Sequence, residues 1–254
     1  MASLGKLIKT ADGSLSLIHP EHDECYHSHG GALWEARSLY CEASGIADKF
    51  ASKIGTVYVL DVGLGLSYNA CSTIDAWFHS SGSSDLAIHS LEINTDLVKA
   101  LASAKAAWQE NWPDSWLDWC SNLSKADEHT FHAKINHPSN PNASCQWYIH
   151  VGDGIATIKA LNKMISTSWD YIWQDPFSPE KNPRMWNADW FRLLRENSAS
   201  ESQLMTYSVA RVVKNALTGA GWVYEKVKAN GPKRHWLRAK PDVCSGEASP
   251  LRSR

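Results

Sequence analysis

Residues 57–78 constrain this chain more than any other stretch. Val57-Tyr58-Val59-Leu60 is an apolar run that reads as a short buried strand, and Asp61-Val62-Gly63-Leu64-Gly65-Leu66-Ser67-Tyr68-Asn69 follows it directly. Ala70 to Phe78 then reads as a helix. A strand that enters a glycine turn and leaves as a helix is the opening unit of a doubly wound α/β fold. Glycines at 63 and 65 let the turn tighten and let a ligand touch the main chain.

An acid lies one strand further on. The run Leu86 to Ile93 places Glu92 near its C-terminal end. A carboxylate there accepts from the hydroxyls of a ribose diol. Glycine turn and acid together are compatible with NAD and with S-adenosylmethionine. The third glycine of a dinucleotide turn is missing, and Ser67 or Tyr68 stands near its place.

The chain has 254 residues, enough for one large α/β domain or two small ones. It has no apolar run long enough to span a membrane, and its N-terminus lacks a basic-then-apolar signal pattern. Its six cysteines are scattered with no CxxC pair, which suits a reducing compartment and argues against a disulfide framework or a zinc knuckle. A cytoplasmic protein is expected. The net charge of −2 hides an asymmetry: Ser208 to Arg254 carries ten basic and three acidic residues. That quarter either holds a polyanion such as RNA, with Lys233 and Arg234 as the pair to test, or is a solvated tail.

Along the chain, Asp12-Gly13 between two alternating runs predicts a hairpin, and Gly31 to Ala43 predicts a helix. Residues 1–50 therefore form an N-terminal extension, 51–243 the main domain, and 244–254 a disordered tail. Thr95 is expected to cap a helix to about Glu110. Residues 111–146, rich in Trp, Asn, Ser and His, read as a decorated insertion. Within and before it, Trp108, Trp112, Trp116 and Trp119 form either a packed helical stripe or a base-stacking platform. Strands follow at Trp147 to Val151, Trp169 to Gln174 and Gln203 to Tyr207, each leading into a helix, the last capped by Ser208. Trp222 to Val227 and His235 to Ala239 close the chain as an antiparallel pair.

Five strand–helix units with a closing hairpin differ from a dinucleotide dehydrogenase, which continues with parallel strands. They match the order of a class I S-adenosylmethionine methyltransferase, a Rossmann-like α/β fold. Its seven-stranded sheet has an antiparallel last strand; here an N-terminal hairpin and helix are added. Ligands of open α/β sheets bind outside the carboxyl ends of the strands. Asp61, Glu92, Asp153 and Asp175 all fall there. Buried unpaired acids are costly, so packing explains them poorly. Their alternative roles are helix caps and turns, above all for Asp153 between two glycines.

Asp175-Pro176-Phe177-Ser178 is more specific. Asp or Asn, then Pro, then an aromatic at this strand end recurs in enzymes that methylate amino groups. The carboxylate orients the attacking amine or takes its proton. The proline stiffens the turn and leaves its carbonyl as a second acceptor, and the aromatic packs on a flat substrate.

At these residues the chain resembles the family of the methyltransferase domain of the bacterial tRNA-modifying enzyme MnmC and its stand-alone relatives. Asp175-Pro176-Phe177-Ser178-Pro179-Glu180-Lys181-Asn182-Pro183-Arg184-Met185-Trp186 is similar to the family's D-G-F-A-P-x-K-N-P-x-M-W. Tyr26-His27-Ser28 with Gly31, Ala32, Glu35 and Ala36 resembles its N-terminal Y-H-S-x-x-G-A-x-x-E-A. Gly152-Asp153-Gly154 resembles its G-D-A, and Asp61 to Gly65 with Asn69 its D-x-G-F-G-T-G-x-N. Three departures stand out: Leu66-Ser67 replaces Thr-Gly, Pro176 replaces glycine, and residues 111–146 align poorly.

The resemblance implies methylation of the primary amine of 5-aminomethyluridine at the tRNA wobble position, giving 5-methylaminomethyluridine, with S-adenosylmethionine as donor. It implies a separate enzyme that supplies the aminomethyl precursor. Asp61, Gly63, Gly65 and Asn69 would shape the cofactor turn, Glu92 would hold the ribose and Asp153 the adenine amine. Asp175 and Phe177 would be catalytic. Tyr26, His27, Ser28 and Lys181, with Lys233 and Arg234, would bind substrate. The histidines near Cys25 and between His129 and His137 fit no standard zinc spacing, so no metal is expected. The rivals are a methyltransferase of a small or protein amine, a binding module without turnover, and an NAD-dependent oxidoreductase, which the closing hairpin disfavours.

Overall fold

A computed structural model describes residues 4–82, 84–164, 168–230 and 235–242. Lys233, Arg234 and the expected 244–254 tail lie outside the described residues. The chain opens with a hairpin of β1 (Lys6–Lys9) and β2 (Leu15–Ile18). The hairpin turn does more than reverse the chain. Asp12 Oδ2 accepts from Trp34 N at 2.7 Å, and Ser14 Oγ accepts from Ala32 N at 3.1 Å. These bonds satisfy first-turn N–H groups of α1 (Ala32–Glu35), which continues as a π-helical stretch, Ala36–Glu42. Then come α2 (Ile46–Ser52), β3 (Thr56–Val62), α3 (Tyr68–Phe78), β4 (Asp85–Glu92) and α4 (Thr95–Ala102). The cap of α4 is Asn94, whose side chain accepts from Asp96 N and Leu97 N, rather than the expected Thr95.

The insertion is ordered. It holds α5 (Asp114–Ser121), β5 (Ser124–Lys125) and β6 (Thr130–Asn136), and β6 pairs antiparallel with β7 (Ser144–Val151). After β7 come α6 (Gly154–Met164), β8 (Trp169–Gln174), α7 (Ala188–Arg195), β9 (Ser198–Thr206) and α8 (Arg211–Gly219). Helix α8 starts after Ala210, so Ser208 does not cap it. Strands β10 (Trp222–Lys228) and β11 (His235–Pro241) close the chain.

The nine-stranded sheet runs β10-β11-β9-β8-β3-β4-β7-β6-β5. Strands β7, β4, β3, β8 and β9 are parallel, and β11 inserts antiparallel between β9 and β10. The seven expected strands are therefore present in methyltransferase order. Strands β6 and β5 extend the β7 edge. Strand β3 is flanked by β4 on one side and β8 on the other, so the crossover direction reverses there and a crevice opens at the carboxyl ends.

Buried side chains cover both sheet faces. One cluster joins Val57, Val59 and Trp173 to Leu15, Leu39 and Tyr40 of the N-terminal hairpin and helix. The other packs Trp186, Trp190 and Trp222 with Leu60 and Ile172. Trp108, Trp112, Trp116 and Trp119 are all buried, so they are packing residues and not an exposed platform. They do not share one helix: Trp108 sits in the 3₁₀ turn Ala107–Gln109, and α5 carries only Trp116 and Trp119. Among the described residues, no helix is long and apolar enough to cross a membrane.

Candidate active site

The carboxyl ends of β3, β4, β7 and β8 open onto a cavity of about 760 Å³, within the usual range for small-molecule sites. Its wall is built where two chain segments pack closely together. Gly63 has φ 84°, and a Cβ there would stand 2.9 Å from the Asp175 carbonyl oxygen. Only glycine meets both the left-handed backbone and that approach. The glycine turn and the Asp175-Pro176 turn are thus packed against each other.

Gly65 continues the turn, and its N–H donates to Glu92 Oε2 at 3.0 Å. Glu92 Oε1 accepts from Ile93 N and Asn94 N, both at 2.9 Å. Burial raises the Glu92 carboxyl above its ordinary pKa, against the lowering effect of those N–H donors. Gly63, Gly65 and Glu92 all line the cavity. Ile93 lines it too, with its large apolar side chain 74% exposed. An exposed isoleucine beside a buried acid is a ready surface for a flat ring.

Asp175 follows β8, and its N–H donates to Val62 O at 3.0 Å. Asp175 Oδ2 accepts from Asn69 Nδ2 at 2.7 Å. Asn69, buried in the first turn of α3, therefore touches the site through Asp175 and not as part of the cavity wall. The Pro176 carbonyl, expected as a second acceptor for substrate, is taken: Tyr207 Oη donates to it at 3.0 Å. Phe177 lies among Tyr26, His22 and His19, with ring centroids 5.0, 4.7 and 5.1 Å away. Glu24 ties this group to the strand end, because its carboxylate accepts from Ser178 N at 3.1 Å and Ser178 Oγ at 2.8 Å. The segment after β2 thereby becomes a wall of the cavity.

Tyr26, His27 and Ser28 line that wall. His27 packs edge-on against Tyr68, and burial drives its pKa down to about 3, so the ring is neutral. Lys181 is exposed at the same cavity. Asp153 lines the cavity but is also a helix cap. Its Oδ1 accepts from Ile155 N and Ala156 N, and its Oδ2 pairs with Arg184 at 3.2 Å. Arg184 and Glu35 are cavity residues that the sequence reading left unassigned, although both stand inside the quoted motifs.

Asp61 is fully buried and absent from the cavity lining. Ser90 Oγ donates to its Oδ2 at 2.8 Å, while its Oδ1 has no hydrogen-bond partner among the described residues. Burial pushes its pKa up to about 7, the Ser90 hydrogen bond opposing and the Glu92 charge adding. Such a group costs the fold stability when it ionises. Between an unfolded value near 4 and about 7 the folded state holds a proton that the unfolded chain has lost, so stability falls as pH rises through that window. Asp61→Asn cannot ionise. Its stability relative to the parent should rise with pH between about 4 and 7, by on the order of 1.4 kcal/mol per pH unit, and level off above. Denaturant midpoints of both proteins across this range test it; a difference independent of pH would show that Asp61 is charged in the fold.

Among the described residues, no group of three or more His, Cys, Asp or Glu side chains is arranged to hold a metal. The residues do fit an adenosyl sulfonium cofactor: a glycine cradle closed to any Cβ, a buried acid at the end of β4, and an exposed apolar side chain next to it.

Fold and cavity together make a Rossmann-like α/β chain whose crevice lies at the carboxyl ends of the parallel strands. Residues 119–242 match the model of a family described as S-adenosyl-L-methionine-dependent methyltransferase. In sequence and fold the chain is similar to MnmC, as its motifs lead one to expect. It is 27% identical over 230 residues to the tRNA 5-methylaminomethyl-2-thiouridine biosynthesis bifunctional protein MnmC of Azoarcus sp. (strain BH72), covering 86% of this chain and 33% of that protein. It is 26% identical over 247 residues to the protein of the same name from Methylibium petroleiphilum (strain ATCC BAA-1232 / LMG 22953 / PM1), covering 91% and 33%. The chain thus spans about a third of the length of these curated relatives. The crystal structure of MnmC2 from Aquifex aeolicus superposes with a TM-score of 0.74 at 24% identity, covering 92% of this chain and 69% of that one.

Proposed function

We propose that this chain is an S-adenosylmethionine-dependent N-methyltransferase that converts 5-aminomethyluridine to 5-methylaminomethyluridine at the tRNA wobble position. The observation that carries the reading is the Asp175 turn. A carboxylate fixed by Asn69 lies in the same cavity as the glycine turn and Glu92, beside a cluster of four aromatic rings. That cavity can hold a methyl donor and a flat, amine-bearing base side by side. The cofactor supplies an electrophilic methyl group on a sulfonium.

The chain's own residues do the rest. Gly63, Gly65 and Glu92 hold the cofactor, with Glu92 left as an acceptor for ribose hydroxyls. Asp153 reaches the adenine amine only by sharing its Oδ2 with Arg184. The rings of Phe177 and Tyr26 pack on the uracil, with His27 and Ser28 in the wall behind. Asp175 accepts from the amine N–H and aims the lone pair, so that positioning lowers the barrier. Lys181 at the cavity and the basic stretch that includes Lys233 and Arg234 bind RNA phosphates. The reaction uses aminomethyl groups already installed on the tRNA and takes place in the cytoplasm.

The test is turnover with tRNA from cells lacking this protein, followed by mass spectrometry of the wobble nucleosides. The expected product is 5-methylaminomethyluridine, and tRNA affinity should fall steeply with salt because phosphate contacts release counterions. Methylation of small amines or peptides with tRNA untouched would overturn the substrate. Charge reversal at Lys233 and Arg234 should weaken tRNA binding and leave cofactor binding alone; unchanged tRNA affinity would remove them from the interface.

A further inference from the structure

The cavity contains a second buried acid to which the reading above gives no role. Glu35 is only 6% exposed and lines the same cavity as Asp175. It belongs to α1, whose first turn is pinned by Asp12 and Ser14, so its backbone is held in place. Two tyrosines report what surrounds it. Burial holds the Tyr40 hydroxyl far above its ordinary pKa, and the charges of Asp175 and Glu35 both add to this. Burial likewise raises Tyr207, with Asp175, Glu24 and Glu35 adding to it. Tyr207 also donates to the carbonyl of Pro176, the residue after Asp175. Glu35, Asp175, Glu24 and Tyr207 all line this one cavity, while Tyr40 is buried outside its lining.

Acids gathered at low dielectric favour a cation, and a primary amine arrives as its ammonium at neutral pH. Methyl transfer needs the free amine, so one acid must take a proton while another aims the nitrogen. Asp175 already accepts from Asn69, which fixes it as an orienting carboxylate. Resting on the amine-methyltransferase reading, we infer that Glu35 is the proton acceptor for the substrate amine, while Asp175 orients it.

The step balances without an oxidant or reductant. The ammonium gives one proton to the Glu35 carboxylate. The freed nitrogen lone pair forms the N–C bond as the C–S bond of the sulfonium donor breaks, its electron pair staying on sulfur. The secondary amine leaves as an ammonium, and Glu35 returns its proton to solvent.

Glu35→Gln is the test. At neutral pH its turnover on 5-aminomethyluridine tRNA should fall about a hundredfold to ten-thousandfold, the usual range for losing a general base. KM for tRNA should stay close to that of the parent. The variant's rate should then climb about tenfold per pH unit, because only amine already neutral in solution can react, whereas the parent reaches its plateau at lower pH. Glu35→Asp should recover part of kcat with the parental plateau. A second readout needs no turnover: benzylamine, a flat ring with an aminomethyl group, titrated calorimetrically with S-adenosylhomocysteine present. Glu35→Gln should weaken it at least about tenfold, the size of one lost charge-assisted contact. Equal loss of rate at every pH, with benzylamine affinity unchanged, would overturn the assignment. A parent that binds benzylamine through Glu35 but leaves tRNA unmodified would overturn the substrate and keep Glu35. If the Gln variant fails to fold, Glu35→Asp decides: a lowered kcat supports the role, and parental kcat overturns it.

Discussion

Asp175→Ala should lower methyl transfer to 5-aminomethyluridine tRNA by about a hundredfold to ten-thousandfold, the cost of losing orientation of the nucleophile. Binding of S-adenosylhomocysteine should change little. The packing of Gly63 against this turn involves the Asp175 carbonyl and Pro176, which the substitution keeps. The side-chain oxygen it removes is the one that Asn69 holds at 2.7 Å and that the amine would share. Asp175→Asn separates orientation from proton transfer. An asparagine keeps one acceptor oxygen and loses basicity, so if Glu35 takes the proton the Asn variant should exceed Ala by at least about tenfold. Single-turnover rates of the three proteins, with donor saturating, give the comparison. An Asn variant as slow as Ala would shift proton transfer onto Asp175. Near-parental turnover in the Ala variant would refute the mechanism altogether.

The parts of this molecule that were legible in its sequence are those governed by local rules. Gly63 and Gly65 marked the turn because no other residue suits a left-handed backbone packed against a second chain segment. That Glu92 and Asp175 face one cavity was legible because a strand's end fixes where its last side chains lie. The extra strand β6 also had a period-two signature: Phe131, Ala133 and Ile135 are buried while Lys134 and Asn136 are exposed. Its short length and polar flanks hid that pattern inside a stretch read as an insertion. The misplaced caps at Thr95 and Ser208 are one- and two-residue errors of the kind that helix ends invite.

Other features depended on contacts distant in sequence, which no spacing rule supplies. Asp61 reads as a cofactor acid, yet the sheet folds over it and leaves it bonded to Ser90. Asp153 reads as an adenine acceptor, yet its oxygens already serve α6 and Arg184. Glu35 stands in a motif, but that it lines one cavity with Asp175 is decided by the folded chain and not by spacing.

Glu92 shows how far such contacts change an expected result. From sequence it is a diol acceptor whose loss costs a pair of hydrogen bonds. In the structure it also holds Gly65, Ile93 and Asn94 N–H groups, and so fixes the glycine turn in the cavity wall. Glu92→Ala should therefore weaken S-adenosylhomocysteine binding by roughly one to two orders of magnitude, as charge-assisted bonds are lost and the turn loosens. Glu92→Gln should not be mild. Its oxygen can keep Ile93 and Asn94, but its amide then points a donor at the Gly65 donor, and buried donors facing each other are costly. The parent carries a pH signature of the same origin. Burial raises the Glu92 pKa, so the carboxylate is lost at higher pH than for an exposed glutamate. If the cofactor needs the carboxylate, affinity should be full at neutral pH and fall as the solution is acidified through that raised value. Calorimetry across pH on the parent and both variants reads all of this. Affinity that neither substitution alters would remove Glu92 from the site, and parental affinity that stays level on acidification would show that its charge is not what the ribose meets.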